Sequence, residues 1–362
     1  MKRAIIGTVG VPGRYGGFET LAENLVHYHT ARIDKGELTV YCSAGAYPAR
    51  PAKFSGATLR YSRLRANGLQ SVLYDIVTAL DAVRRGDDVL LVLGVSGAVV
   101  LPLIRLIAPR RRIVTNIDGI EWKREKWQGI AKRFLRWSEK LAVRWSHVVV
   151  ADNHAIAEYV RDSYGTEVET IAYGGDHAVA EAIGTPDAAL LADLPAAYTL
   201  ALCRIEPENN VAMILEAFAD TEEPLVFVGN WSNSHFGRDL KQRYCSYANI
   251  TLLDPVYDPA TLQAIRAGAR AYAHGHSAGG TNPSLVEMMH FGVPVHAFDC
   301  SFNRHTTENE ANYFSTAQKL AQLAGQPLPK QGMKMLEIAK RNYTWQIVCK
   351  RYFELMDANT RS

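Results

Sequence analysis

The chain has 362 residues, of which 48% are hydrophobic and 21% charged, with a formal net charge of +3. That length suits two domains, the composition excludes a disordered chain, and the small net charge excludes wholesale nucleic-acid binding. Charge is uneven: residues 1–180 carry 25 Lys/Arg against 18 Asp/Glu, residues 181–362 carry 15 against 19, so the front half is basic. A basic half suits an anionic partner, or equally an ordinary solvated surface.

Five scattered cysteines, with no CxxC pair, read as free thiols in a reducing compartment. Residues 1–9 meet Gly and Pro too soon for a signal peptide. The best membrane candidate, Val89–Ala108, is interrupted by Arg105 and punctuated by Gly94, Gly97 and Pro102. It reads as a strand, a turn and a helix rather than a span. The expected location is cytoplasmic.

In chain order, short apolar runs at Ala4–Val9, Leu38–Cys42, Val89–Leu93, Ile113–Ile117 and Val148–Ala151 predict buried strands. Amphipathic segments at Glu19–Ala31, Ser71–Arg84, Ala98–Ile107, Gly129–Arg144 and Ala155–Tyr164 predict the helices between them. After an Ala/Gly/Asp/Pro-rich linker, His177–Pro195, the pattern repeats. Its strands are Thr199–Leu202, Leu225–Val228, Ile250–Leu253, Ala271–Ala273 and Val293–Ala297. Its helices are Asn210–Ala219, Arg238–Tyr247, Ala260–Ala267, Ser284–Phe291 and Thr316–Leu323, and Tyr343–Met356 forms a last helix. Alternation of this kind implies two parallel-sheet α/β domains, with function in the loops that follow strands.

Three such loops carry chemistry. Gly10-Val11-Pro12-Gly13-Arg14-Tyr15-Gly16-Gly17-Phe18-Glu19 follows the first strand and opens a helix, where backbone N–H groups can approach an anion; its spacing is not GxGxxG. Arg204-Ile205-Glu206-Pro207-Glu208-Asn209-Asn210 follows the first strand of the second domain, where an Arg can fork onto a diphosphate or pair with a neighbouring Glu. His274 through Glu287 leads from a strand through Gly279, Gly280, Thr281, Asn282 and Pro283 into a helix. That turn can present amides to phosphate, and Glu287 can accept hydrogen bonds from vicinal ribose hydroxyls. His274 and His276 lack a third ligand at suitable spacing, so no metal and no other cofactor is expected.

Together these stretches resemble the retaining GT-B glycosyltransferases of family 4, over nearly the whole chain. Gly13–Glu19 looks like the family's Gly-Gly-x-Glu loop, and Arg204 with Pro207-Glu208 like its Gly-Arg-Leu-x-Pro-Glu-Lys element. Val228-Gly229 looks like a strand-end Gly, Glu287 through Pro294 like its Glu-Ala-Met-Ala-x-Gly-x-Pro helix, and Tyr343-Thr344-Trp345 like the start of its last helix. Within the family, Asn116–Arg124, Tyr173–Asp176, Glu206–Asn210 and His276–Leu285 are most similar to bacterial rhamnosyltransferases of polysaccharide assembly.

The resemblance implies two Rossmann-like domains facing across a cleft. Residues 1–180 would bind the acceptor, 181–341 the nucleotide sugar, and 342–362 would form a helix returning to the first domain. It implies a retaining transferase moving a sugar, best L-rhamnose from dTDP-L-rhamnose, onto a glycan or polyprenyl-linked glycan, with UDP-sugar as the other donor. Arg204, Asp118 and Glu287 would act at the reaction. Gly16, Gly17, Arg204, Asn209, Gly229, Gly279, Gly280, Thr281, Asn282, Ser284, Leu285 and Glu287 would hold the donor. Tyr15, Glu19, Asp118, Glu121 and Trp122 would hold the acceptor.

Three positions depart from the family: Asn209 stands where it has Lys, Gly279 where it has its first Glu, and Ile117 where it often has His before Asp118. The segment Trp122–Trp145 interleaves Trp122, Trp127, Trp137 and Trp145 with eight Lys/Arg. It suits either the inner face of an anionic membrane or a helix packed on the sheet. Two rivals remain on sequence alone: a sugar-nucleotide epimerase, which the missing carboxylate at Gly279 disfavours, and a non-catalytic glycan-assembly partner, which Asn209 and Gly279 favour.

Overall fold

The computed structural model describes residues 1–13, 16–33, 36–123, 128–180, 184–326 and 329–358. The chain divides into two compact α/β units, Met1–Tyr173 with Gln346–Ser362, and Gly174–Trp345.

The first unit runs β1 (Lys2–Ile6), α1 (Gly17–Ala31), β2 (Glu37–Ser43), β3 (Lys53–Phe54), β4 (Ala57–Ser62), α2 (Ser71–Arg85), β5 (Val89–Leu93), α3 (Leu101–Ile107), β6 (Arg112–Asn116), α4 (Gly129–Trp145), β7 (Val148–Ala151), α5 (His154–Tyr164) and β8 (Glu169–Thr170). Its sheet has the order β3-β4-β2-β1-β5-β6-β7-β8, parallel apart from the β3–β4 pair. Every residue of β5 is buried, as expected for a parallel strand covered by helices on both faces. Val89–Ala108 is therefore a strand, a turn and the short helix α3, and no helix among the described residues is long and apolar enough to cross a membrane.

The second unit runs α6 (Ala188–Ala192), β9 (Tyr198–Leu202), α7 (Val211–Ala219), β10 (Leu225–Val228), α8 (His235–Tyr244), β11 (Ile250–Leu253), α9 (Pro259–Ala267), β12 (Ala269–His274), α10 (Pro283–Met289), β13 (Val295–Phe298), α11 (Ser301–Thr306), β14 (Asn312–Phe314), α12 (Ala317–Ala324) and α13 (Pro329–Asn342). Helix α14 (Trp345–Asp357) starts on the last residue of this unit and continues in the first. The sheet order is β11-β10-β9-β12-β13-β14, all parallel. Its core is built around Phe218, Phe227 and Trp231, all fully buried. The Trp231 indole N–H donates to Leu253 O at 2.9 Å, so burying it leaves no unpaired donor.

The chain crosses between units at 173/174 and 345/346, against the expected 180/181 and 341/342. The reason lies in the segment read as a linker, which is bonded into the second unit. Gln263 Nε2 donates to Ala178 O and Ala180 O, and the Asp187 N–H donates to Thr261 Oγ1 at 2.9 Å. Tyr343 stays with that unit too, its hydroxyl donating to Thr306 O at 2.8 Å.

Helix α14 is tied to the first unit by charge and by an aromatic ring. Asp357 receives Arg3 Nε at 2.8 Å and Arg32 at 2.7 Å, and both guanidinium groups lie over the Phe353 ring. Arg112 Nε donates to Leu355 O, satisfying a carbonyl at the helix end, and Asn116 Nδ2 donates to the Tyr352 hydroxyl. The Arg3 side chain is only 5% exposed, so removing Asp357 takes a carboxylate from a buried cation. Asp357→Ala should destabilise the first unit by about 1.5–3 kcal/mol, read as a lower urea midpoint, with Asp357→Glu losing less. An unchanged midpoint would show that the clamp carries no stability.

Candidate functional site

In an open parallel sheet, ligands bind beyond the carboxyl ends of the strands where the strand order reverses. In the second sheet that reversal lies between β9 and β12, which are neighbours although two strands and three α-helices separate them in the chain. The loops leaving these two strands are therefore adjacent, and hydrogen bonds join them. The Ser277 N–H and Oγ both donate to Glu208 O, at 3.1 and 2.8 Å, and Asn210 Nδ2 donates to Gly275 O at 2.8 Å. The loop that carries Arg204 is thus bonded to the segment that leaves β12. The Arg204 side chain is 49% exposed, with Glu206 as an ion-pair partner at 3.6 Å.

The other expected donor residues take distinct places in this unit. Asn209 is buried and donates through Nδ2 to Arg204 O at 2.8 Å, so it pins the loop that presents Arg204 and does not face out. Asn282 is the N-cap of α10: its Oδ1 accepts from the Ser284 N–H and Oγ, and Ser284 Oγ accepts from the Tyr272 hydroxyl. Leu285 is fully buried in the core, and Thr281 is buried as well. Gly279 has φ of +116° and open space where a Cβ would stand, so a side chain there would be resisted by backbone strain, not by crowding. Gly229 closes against Cys203 O, a packing reason for glycine at that strand end.

His274 is fully buried, and burial, then His276, holds its pKa well below the usual range, so it is neutral. The two imidazoles stack with centroids 4.4 Å apart, a geometry that sends their lone pairs sideways instead of to a common point. No cluster of three or more His, Cys, Asp or Glu among the described residues can hold a metal ion.

Glu287 is held by two partners of its own unit. Its Oε2 is ion-paired with Arg266, whose side chain is 10% exposed, and its Oε1 faces His177 Nε2 at 3.2 Å. Burial pushes its pKa up, but Arg266 and then His177 outweigh burial, so the net shift is downward and the group is an anion. His177 in turn accepts the Trp345 indole N–H at Nδ1, 3.0 Å, and Asp176 Oδ1 accepts the Trp345 backbone N–H at 2.8 Å. This explains Tyr173-Gly174-Gly175-Asp176. A Cβ on Gly174 would meet the Trp345 ring at 2.6 Å, and one on Gly175 would meet Glu287 N and Val286 O at 2.7 Å.

In the first unit the order reverses between β1 and β5. The glycine loop after β1 has its amides occupied from within. Glu19 Oε1 accepts from Val9 N–H at 2.8 Å and Thr8 Oγ1, Glu23 Oε2 accepts the Gly13 N–H at 2.8 Å, and Thr8 Oγ1 accepts the Gly10 N–H. Glu19, expected at the acceptor, is 9% exposed and clamps this loop. Gly16 and Gly17 open α1, with Gly17 against the Tyr173 ring. Tyr15 and the side chain of Glu121 lie outside the described residues.

Asp118 has φ of +61°, a left-handed conformation uncommon for a non-glycine residue, and its N–H donates to Asn116 Oδ1 at 2.7 Å. Trp122 donates through Nε1 to the buried Glu139 at 3.3 Å and carries Lys123, Lys132 and Arg136 over its ring, so it is a partner of α4.

Two carboxylates escaped the sequence reading. Asp152 directly follows β7 and is buried; the Tyr173 hydroxyl has its pKa raised well above normal by burial first and then by the charges of Asp118 and Asp152. Asp75 lies beneath the β5 loop, accepting Ser96 Oγ at 2.5 Å, and burial raises its pKa to about 7. The Asp152-Asn153 pair directly after an apolar run was the available signal; nothing in sequence marked Asp75, which sits mid-helix in α2.

Comparison with known proteins places this geometry. A family model described as a domain of unknown function (DUF1972) matches residues 1–176. No curated protein matches the chain. Sucrose-phosphate synthase from Thermosynechococcus elongatus superposes with a TM-score of 0.76 at 14% identity, over 98% of this chain and 97% of that one. Anabaena Alr3699/HepE, solved with UDP and glucose, gives 0.74 at 16% identity over 99% and 100%. The catalytic domain of starch synthase IV from Arabidopsis thaliana, bound to ADP and acarbose, gives 0.70 at 14% over 98% of each. The chain has the α/β architecture of GT-B glycosyltransferase structures, with two parallel-sheet domains.

The Glu287 pair yields a prediction with a sign. Its folded pKa lies below the unfolded value, so its stabilisation is present above the unfolded pKa and is lost as pH falls through the folded pKa. Glu287→Gln should flatten the acid limb of the second unit's stability profile. Glu287→Ala should cost about 3–5 kcal/mol at neutral pH by leaving Arg266 buried and unpaired. A wild-type acid limb in Glu287→Gln would remove the pair from this account.

Proposed function

We propose that the chain is a retaining glycosyltransferase that takes a nucleotide-sugar donor in its second unit and passes the sugar to a glycan or lipid-linked glycan acceptor held by the first. The observation that carries this is the joining of the Arg204 loop to the His274–Asn282 segment at the reversal of the second sheet. As the bond from the anomeric carbon to the diphosphate oxygen breaks, negative charge grows on the leaving group. Arg204 and the amides of Gly280–Asn282 stabilise it there, and this electrostatic contribution is commonly the largest in such reactions. The acceptor hydroxyl oxygen bonds to the anomeric carbon from the same face, and its proton passes to the departing diphosphate. Glu287, fixed as an anion, offers its remaining lone pairs to the ribose hydroxyls. Asp118, at the end of β6, orients the acceptor.

The nucleotide-bound relatives of this fold, one with UDP and glucose and one with ADP and acarbose, support a sugar-nucleotide donor. We infer that the donor is dTDP-L-rhamnose; what supports this is Gly279, which brings no carboxylate to bind sugar hydroxyls and so suits a 6-deoxy sugar, which has one hydroxyl fewer.

Calorimetry with dTDP and UDP, followed by turnover of dTDP-L-rhamnose, tests the reading. One of the two nucleotides should bind, and Arg204→Ala should keep the fold while lowering kcat by about a hundredfold or more. Absence of binding by either nucleotide would overturn the proposal; normal turnover in Arg204→Ala would remove Arg204 from it.

A further inference from the structure

Helix α4 presents two opposed stripes. The inner one, Leu135, Ser138, Ala142 and Val143, is buried, with Ser138 Oγ donating to Val95 O. The outer one has the spacing 130, 134, 137, 141, which places Ile130, Phe134, Trp137 and Leu141 along one line of the helix. Ile130 is 85% exposed and Trp137 53%, with Phe134 packed against the Trp137 ring at 6.1 Å. The packing of α3 against α4 adds a second exposed apolar row, Leu103, Leu106 and Ile107 at 46, 79 and 56%. A soluble surface tolerates scattered apolar side chains, but two such rows on contacting helices need an occupant.

Charge says which occupant. Arg133, Lys140 and Arg144 flank the outer stripe of α4 and are exposed, and Arg110 stands in the turn after α3. The sole acidic residue of either helix, Glu139, is 1% exposed and turned inward to Trp122, Tyr159 and Tyr164. A second copy of the same face would set cations against cations. An anionic bilayer supplies both an apolar layer for Leu, Ile and Trp and a negative surface for Lys and Arg.

We infer that the α3–α4 face of the first unit docks on an anionic lipid bilayer, with Leu106, Ile107, Ile130 and Trp137 entering the headgroup boundary. This rests on surface chemistry alone and stands apart from the donor reading, so vesicle binding and nucleotide binding are separate measurements.

The test is flotation of the full chain with phosphatidylcholine vesicles, with and without phosphatidylglycerol. Binding should require phosphatidylglycerol and weaken with added salt. It should fall by about tenfold or more in Leu106→Glu/Ile130→Glu and again in Arg133→Glu/Lys140→Glu. All four substituted positions are exposed, so the variants should fold as the parent does, which circular dichroism melts check. No flotation with anionic vesicles, or flotation unchanged in both variants, would overturn the proposal. Heparin binding that survives Leu106→Glu/Ile130→Glu, without vesicle binding, would assign the face to a soluble polyanion and overturn it equally.

Discussion

The adjacency of β9 and β12 is the constraint on which the candidate site depends. Parallel pairing between strands that are not consecutive forces the loops after Leu202 and His274 to leave the sheet side by side. Once they do, their backbones must find partners, and they find each other through Glu208, Ser277, Asn210 and Gly275. Arg204 gains its position from this bonding and from Asn209, whose Nδ2 donates to its carbonyl. The same rule holds in the first unit, where the β1 and β5 loops meet at the reversal.

The two reversals differ in electrostatics. In the first unit the loop amides at Val9 and Gly13 are already bonded to Glu19 and Glu23, so an incoming phosphate would have to displace carboxylates that belong to the chain. In the second unit the half-exposed guanidinium of Arg204 is carried by a loop bonded to the segment that leads into the glycine-rich turn. Glycine-rich loops after first strands look alike as strings of letters. Which one can receive an anion depends on where neighbouring carboxylates fold, and that distinguishes a loop that is internally neutralised from one that is open.

Strands that read as unbroken apolar runs were legible; Val89–Leu93, Val148–Ala151, Leu225–Val228 and the partly buried edge strand Ile250–Leu253 stand where the pattern put them. β4 was not, because Ala57–Ser62 buries Ala57 and Leu59 and leaves Thr58 and Arg60 half-covered, an alternation that contains no run. Helix α13 was missed because Lys330, Gly332, Lys334 and Glu337 dilute a stripe that Met335, Ile338 and Ala339 nonetheless bury. Site residue types were legible by position after strands, but side-chain partners were not. Asn209 turns inward, Glu19 clamps its own loop, and Glu287 is shared between Arg266 and His177, each through a contact distant in sequence or a loop geometry that spacing does not encode.

Gly174 lies against the ring of Trp345, and these are the first and last residues of the second unit. A stretch of chain whose two ends meet is topologically a closed loop: it can be inserted into, or lifted out of, a host fold without dragging either flank across the molecule. The first unit is such a host, since its sheet is complete by Thr170 and, among the described residues, helix α14 is the one element that follows the excursion. Residues 174–345 therefore have the layout of a cassette, and the glycine pair with Asp176, His177 and Trp345 forms its clasp, ending on the same carboxylate, Glu287, that the proposed donor site uses.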